Sequence, residues 1–182
     1  MLGRIGGGLF AALILAVCGL GPAAASPGSP ADTTVTTVLL VRHAEKNAHA
    51  PGGDAGLSMK GMQRARELAR TLRDAGVDAV YASQFPRARL TAEPLARALA
   101  DSVRVYDAND LEALAARIRS GHRGQTVLVV GHSDTVAQTI ECLTGQRLPE
   151  DETVAYDKLY LLILGPGGAN RLLRLRYGAP AE

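Results

Sequence analysis

Four side chains suited to a tetrahedral oxyanion stand just past short apolar runs: Arg42, His43, Arg87 and His132. Arginine presents a planar, permanently charged fork of donors, and imidazole can donate, accept or act as a nucleophile near neutral pH. Two such forks and two rings brought together would hold a phosphate-like anion. A single Arg-His pair carries little, because charged residues just past a strand are usually only solvated. The weight comes from the pattern recurring after successive apolar runs.

Those runs are the elements that must position the side chains. Residues 38–41, Val-Leu-Leu-Val, form a continuous apolar run, as expected of a strand covered on both faces. Ser58 can cap a helix whose apolar positions Met62, Ala65, Leu68, Ala69 and Leu72 keep the 3.6-residue period. On this reading Arg64, Arg66, Arg70 and Arg73 face water, and Gly76 lies past the helix end. Residues 79–82 form a second strand, followed by a helical stretch from about residue 87 to 100 in which Pro94 should impose a kink or a restart. Residues 103–106 form a third strand, and Asp110 caps the helix carrying Leu111, Leu114, Ala115 and Ile118. Residues 126–130 form the most apolar strand, and Ser133 or Asp134 caps a helix ending before Gly145. Residues 158–164 and 171–177 read as a strand pair around a glycine-rich loop. The alternation implies an α/β fold of three layers, with a mostly parallel central sheet flanked by helices.

In open α/β sheets ligands bind beyond the carboxyl ends of the strands. After the first strand come Arg42, His43, Ala44, Glu45, Lys46 and Asn47; after the second, Ser83 and Arg87, with Thr91 one turn on. Asp107 follows the third strand, and Gly131, His132, Ser133 and Asp134 follow the fourth. The helix starting near Ser133 adds free backbone N–H groups that favour an anion.

These blocks, in this order, resemble the histidine phosphatase (phosphoglycerate mutase-like) superfamily. They are Arg-His-Ala-Glu-Lys at 42–46, Leu57-Ser58-x-x-Gly61-x-x-x-Ala65, Ser83-x-x-x-Arg87-Ala88-x-x-Thr91-Ala92 and Gly131-His132-Ser133. The resemblance implies that His43 is a nucleophile forming a phosphohistidine that water then hydrolyses. It implies that Arg42, Arg87 and a protonated His132 clamp the phosphoryl oxygens; beside them Asn47 either adds a neutral hydrogen bond to the phosphate or terminates a turn, and Ser83 buttresses the site. The Glu that many members place between the second and fourth blocks has no clear match. Asp107 stands nearest its place, with Glu45 and Asp134 as rivals for the general acid. No metal or cofactor is expected, since arginines supply the charge that phosphoryl transfer needs and no Cys pair, His-x-x-x-His or Asp-rich loop occurs.

Composition narrows the partners. A net charge of +2 from 20 basic and 18 acidic residues gives no general attraction for nucleic acid. With 4% aromatic residues and no Trp there is no platform for base stacking. A 47% hydrophobic content excludes a disordered chain.

Residues 1–25 read as a secretory signal peptide: a positive start with Arg4, an apolar stretch from Leu9 to Leu20, and Ala23-Ala24-Ala25 at the cleavage site. The apolar stretch is shorter than the ~20 residues that span a bilayer. Residues 26–37 are a flexible lead-in and 38–182 the phosphatase domain. Cleavage would leave Cys142 as the sole cysteine, a small buried hydrophobe within its helix, while Cys18 allows a minority lipoprotein form. His49 and His122 are expected at the surface.

The expectation is therefore an exported, periplasmic or secreted phosphomonoesterase, independent of metal. The segment between the third strand and Gly131 is short, so the pocket is open and suits a bulky or exposed phosphate ester. Its partner would be a phosphorylated small molecule or envelope component, with no nucleic acid and at most transient membrane contact. The alternatives are a protein phosphatase acting on phosphohistidine and a catalytically weak phosphate-binding protein.

Overall fold

The computed structural model describes residues 33–48, 55–149 and 151–181. The signal peptide, Cys18, most of the lead-in and His49 lie outside the described residues. Six strands and four helices alternate: β1 (Thr36–Arg42), α1 (Met59–Leu72), β2 (Val77–Ser83), α2 (Pro86–Ala98), β3 (Val103–Tyr106), α3 (Leu111–Gly121), β4 (Thr126–Gly131), α4 (Ser133–Thr144), β5 (Lys158–Leu164) and β6 (Arg171–Arg176). They build one sheet in the order β3-β2-β4-β1-β5-β6. The first four strands in this order run parallel, and β5 and β6 extend the sheet antiparallel beyond β1.

Alternation along the strands divides the core in two. Val38 and Leu40 of β1, with Val127 and Val129 of β4, face α3 and α4, where Leu114, Ile118, Val136 and Ile140 cover them. Leu39 and Val41, with Leu128 and Val130, face the other way onto Leu68, Leu72, Ala92 and Leu95 of α1 and α2. Each Val, Leu or Ile among them stabilises the fold by roughly 1.5–3 kcal/mol when fully buried. Among the described residues no helix is long and apolar enough to cross a membrane.

Three expectations need correction. β1 begins at Thr36, inside the predicted lead-in, because the Thr36 hydroxyl pairs with the carbonyl of His122 and the N–H of Gly124. α2 runs through Pro94 without a restart. The carbonyl to which a residue at position 94 would otherwise donate belongs to Leu90, a residue on the exposed side of the helix. In α1 the burial of two residues is reversed: Met62 is exposed and Arg64 is only 4% exposed. The buried stripe is Gly61, Arg64, Ala65, Leu68, Ala69 and Leu72, a continuous i, i+3, i+4 row on which Arg64 falls.

The caps follow their local chemistry. Ser58 accepts the N–H of Gly61 at 3.1 Å and Asp110 that of Ala113 at 3.0 Å, each satisfying one of the free donors of a helix start. β1 and β4 are neighbours aligned so that Arg42 pairs with Gly131. Their following loops therefore emerge side by side, where the strand order reverses and α/β sheets open a crevice.

Candidate active site

The loop after β1 holds His43, 4% exposed. Its N–H donates to the carbonyl of Gly131 at 2.8 Å, stitching it to β4. Its Nδ1 lies 2.7 Å from the carbonyl of Ala44, which can only accept. The ring proton is thus on Nδ1, and Nε2 carries a lone pair. Arg87 Nε donates to that lone pair at 3.1 Å. Burial, reinforced by His132, Arg42 and Arg87, pushes the His43 pKa down to about 3 against the opposing pull of the Ala44 carbonyl. The ring is neutral at physiological pH, as a nucleophile requires.

The motif residues around His43 form its mount. Ala44 donates its N–H to Thr91 Oγ1 at 2.9 Å, and the Thr91 hydroxyl donates to the carbonyl of Arg87 one turn earlier in α2. One threonine therefore ties the His43 loop to the helix that carries Arg87. Ser58 donates its N–H to the carbonyl of Glu45, and α1 packs so closely there that a Cβ on Gly61 would lie 2.2 Å from that oxygen. Only glycine permits this approach.

His132 follows Gly131 at the start of α4 and is 8% exposed. Its backbone N–H donates to Thr135 Oγ1 at 2.8 Å. Arg87 Nη2, which can only donate, lies 3.3 Å from Nδ1, so the proton of this ring is on Nε2 and donates to the buried Ser83 Oγ at 2.8 Å. Burial and the adjacent Arg87 push the His132 pKa down to about 4, despite the opposing Asp134. In the protein alone these influences favour the neutral ring of His132. The two rings stand 5.1 Å apart centre to centre, and Arg87 spans both.

These groups open into a cavity of about 1300 Å³ lined by Arg42, His43, Arg87 and His132, with Lys46, Asn47 and Phe85 at its edge. The volume is large for a phosphate and extends between α3 and α4 as far as Cys142 and Gly145. Phe85 meets His132 edge-on at 5.1 Å and lies under the Arg87 guanidinium at 4.6 Å. The backbone N–H of Asn47 donates to the carbonyl of Gly56. Arg42 donates to the Val154 carbonyl and to the Tyr156 hydroxyl, while its Nε is buried with no partner.

The candidate acids separate. Glu45 accepts three hydrogen bonds from the guanidinium of Arg64, which hold its carboxyl below the usual range although burial works the other way. That is the opposite of what a proton donor needs. Asp107 does not line the cavity, and its Oδ1 accepts from Gln84 Nε2 and from both the N–H and the side chain of Asn109. Asp134 lines the cavity in the first turn of α4, with one oxygen accepting the N–H of Thr135. Among the described residues no group of three or more His, Cys, Asp or Glu is placed to hold a metal ion.

Two other expectations change. His122 is half-buried and bonded on both ring nitrogens, to the Tyr81 hydroxyl at 2.9 Å and to Gln125 at 2.7 Å. Cys142 is half-buried at the far end of the cavity. Reading the sequence missed Arg64, Phe85 and Tyr156. Arg64 could have been found from its place on the Gly61–Leu68 helical row and Phe85 from its position two residues before Arg87, whereas Tyr156 lies in a loop with no local signature.

The pattern of a known family coincides with this site. Residues 38–112 match the family model of the histidine phosphatase superfamily (branch 1), a span that includes His43, Arg42 and Arg87. A Schizosaccharomyces pombe protein described as a probable phosphatase is 31% identical over 99 residues, 48% of this chain and 35% of its own length, so this chain spans about a third of that relative. The structure of a protein histidine phosphatase SixA complexed with tungstate superimposes with a TM-score of 0.62 at 22% identity, covering 77% of this chain and 96% of that one. A mycobacterial glucosyl-3-phosphoglycerate phosphatase gives 0.62 at 16% identity, covering 80% and 99%. A phosphoserine phosphatase mutant from Entamoeba histolytica, in complex with phosphoserine, gives 0.58 at 15%, covering 79% and 97%. At these identities the structural matches show a shared fold, and the sequence match adds the pattern of residues on it. Over residues 38–112 the chain carries the pattern of the histidine phosphatase superfamily (branch 1).

Proposed function

We propose that the chain is a phosphatase working through a phosphohistidine on His43. The observation that carries this reading is the lone pair of His43 Nε2, fixed by the Nδ1–H···O=C bond to Ala44 and set between Arg87 and His132 in an open cavity. Arg87 Nε passes its hydrogen bond from Nε2 to an incoming phosphoryl oxygen, the freed Nε2 lone pair attacks phosphorus, the bond from phosphorus to the leaving oxygen breaks, and that oxygen takes a proton. Water then attacks the phosphohistidine and returns the ring to its neutral form. Arg42 and Arg87 stabilise the charge on the transferring oxygens. His132, its Nδ1 turned towards Arg87, gains a proton and becomes a donor when an anion arrives. Of the three carboxylates weighed from the sequence, Asp134 lines the cavity and is assigned proton transfer to the leaving group.

The cavity's size and openness favour a bulky or exposed phosphate ester, and arginine and imidazole donors suffice without a metal ion. The amino-terminal pattern, read as a secretory signal, supports an activity outside the cytoplasm. A second reading, dephosphorylation of phosphohistidine in a protein, is favoured by the commitment of Glu45 to Arg64 and of Asp107 to Asn109, because a protonated imidazole leaves without a strong acid. It also agrees with the protein histidine phosphatase activity named for one structural relative.

The test is steady-state phosphate release from an aryl phosphate with EDTA present, beside His43→Ala. Turnover abolished in the variant and unaffected by EDTA supports the reading. Phosphate binding without turnover would make the chain a binding protein, and turnover that survives His43→Ala would refute the mechanism. Faster release from phosphohistidine than from aryl phosphate would favour the second substrate.

A further inference from the structure

The segment from residue 151 to 157, between α4 and β5, touches both halves of the anion clamp. Thr153, buried, donates its hydroxyl to the carbonyl of Ser133, next to His132. Three residues later the Tyr156 ring lies under the Arg42 guanidinium, 4.0 Å from its centre, while Arg42 Nη2 donates to the Tyr156 hydroxyl at 3.2 Å and Nη1 donates to the Val154 carbonyl. The same ring stands 6.0 Å from that of His43.

The segment is anchored at both ends. The Tyr160 hydroxyl donates to the carbonyl of Glu152 at 2.7 Å, and Glu152 pairs with Arg174. Asp157, 1% exposed, pairs with Arg176 and accepts the N–H of Tyr177 at 3.0 Å.

An arginine side chain loses considerable rotational freedom when it is fixed on an anion, and a site that has already fixed it binds more tightly. Stacking on an aromatic face holds the guanidinium plane without using its N–H groups. Here the stack and two hydrogen bonds restrain Arg42 at the wall of the cavity.

We propose that Tyr156 is a positioning residue for phosphate binding, acting through Arg42 to hold its guanidinium ready for the phosphoryl oxygens. This rests on the reading of Arg42 as a phosphate ligand. Tyr156 touches the substrate at no step, and its influence passes entirely through the arginine.

The test measures inorganic phosphate as a competitive inhibitor of aryl phosphate hydrolysis, and its binding by calorimetry. The proteins are the parent, Tyr156→Phe, Tyr156→Leu, Arg42→Ala and the Arg42→Ala/Tyr156→Leu pair. Tyr156→Leu should raise KM and the phosphate dissociation constant together by about tenfold, with kcat reduced less than about threefold. Tyr156→Phe keeps the ring face and should lose about twofold, which also guards against a folding defect in the leucine variant. In the Arg42→Ala background, Tyr156→Leu should change phosphate affinity no further.

The same loss in both backgrounds, or an unchanged affinity in Tyr156→Leu beside a weakened Arg42→Ala, would overturn the role of Tyr156 and leave Arg42 as a ligand. An unchanged affinity in Arg42→Ala itself would overturn the reading of Arg42 and this proposal with it.

Discussion

Arg64 and Glu45 form a two-pronged ion pair beside the loop that carries His43. Arg64 Nε lies 3.0 Å from both carboxylate oxygens and Nη2 lies 2.8 Å from one of them, while Nη1 donates to the carbonyl of Ala179 at 2.9 Å. Glu45 is two residues after His43, so the pair links the loop, α1 and the C-terminal segment. Both side chains are largely out of water, with 3% and 14% exposure. Breaking one partner of such a pair leaves an uncompensated charge, which costs about 3–5 kcal/mol. Arg64→Met should therefore lower the melting temperature sharply and lower activity with it. Arg64→Met combined with Glu45→Leu should recover much of the stability, because an apolar pair of similar volume is often as stable as a buried ion pair. Thermal melts of the two variants read this directly, and equal melting temperatures would contradict it.

Gly61→Ala probes the contact between α1 and the Glu45 carbonyl. The new methyl would lie 2.2 Å from a backbone oxygen, so the loop or the helix must move. Overpacking of this kind costs about 1–3 kcal/mol. A shift in the Glu45 backbone is transmitted to His43 through two peptide units, so kcat should fall at least about tenfold even where the variant stays folded. Unchanged kcat in a folded variant would show that the loop tolerates displacement.

The two active-site imidazoles make stability depend on pH in a defined window. In the folded protein His43 and His132 stay neutral down to about pH 3 and 4, whereas in the unfolded chain they protonate near pH 6.5. Between these values the unfolded chain binds more protons, so stability is fully present above about pH 6.5 and falls as the pH drops towards the folded values. Glu45, held below its ordinary value, contributes its loss in a lower window, below the usual range of a carboxylate. Melting temperatures measured from pH 7 to 5 should decline, and the decline should shrink in His43→Asn. A slope identical to that of the parent would place the His43 titration elsewhere.

Asp134→Asn separates the assigned proton donor from the other carboxylates. Hydrolysis of an alkyl phosphate, whose leaving oxygen needs a proton, should fall about a hundredfold, while an aryl phosphate with an acidic phenol should be affected much less. Asp107→Asn should leave both rates within about threefold, since its oxygen serves the turn at Asn109. The same loss on both substrates in Asp134→Asn would indicate a positional effect on α4 rather than proton transfer.

Local chemistry carried much of the architecture. The apolar runs of β1 and β4, the caps at Ser58 and Asp110 and the helical periods are short-range features, and each is legible from a few neighbouring residues. The convergence of Arg42, His43, Arg87 and His132 on one edge was legible because parallel strands deliver their carboxyl ends to the same side. Arg64 illustrates the limit: an arginine is ordinarily solvated, and its burial is made tolerable by partners distant in sequence, Glu45 and the carbonyl of Ala179. Pro94 does not restart the helix, because the cost of a proline depends on whether the displaced carbonyl can reach water. The neutrality of His132 depends on burial and on Arg87, both products of tertiary structure. Tyr156 meets Arg42 across more than a hundred residues of chain, a pairing that no local pattern encodes.

The central claim is that His43 Nε2 accepts the phosphoryl group. The most direct measurement is acid-free rapid quench of the chain with an aryl phosphate, followed by mass spectrometry of the peptide containing His43. A transient addition of one phosphoryl group on His43, labile to acid, stable to alkali and absent from His43→Asn, is the predicted result. Steady hydrolysis with no phosphorylated peptide at any time, or with the group on a different residue, would contradict it.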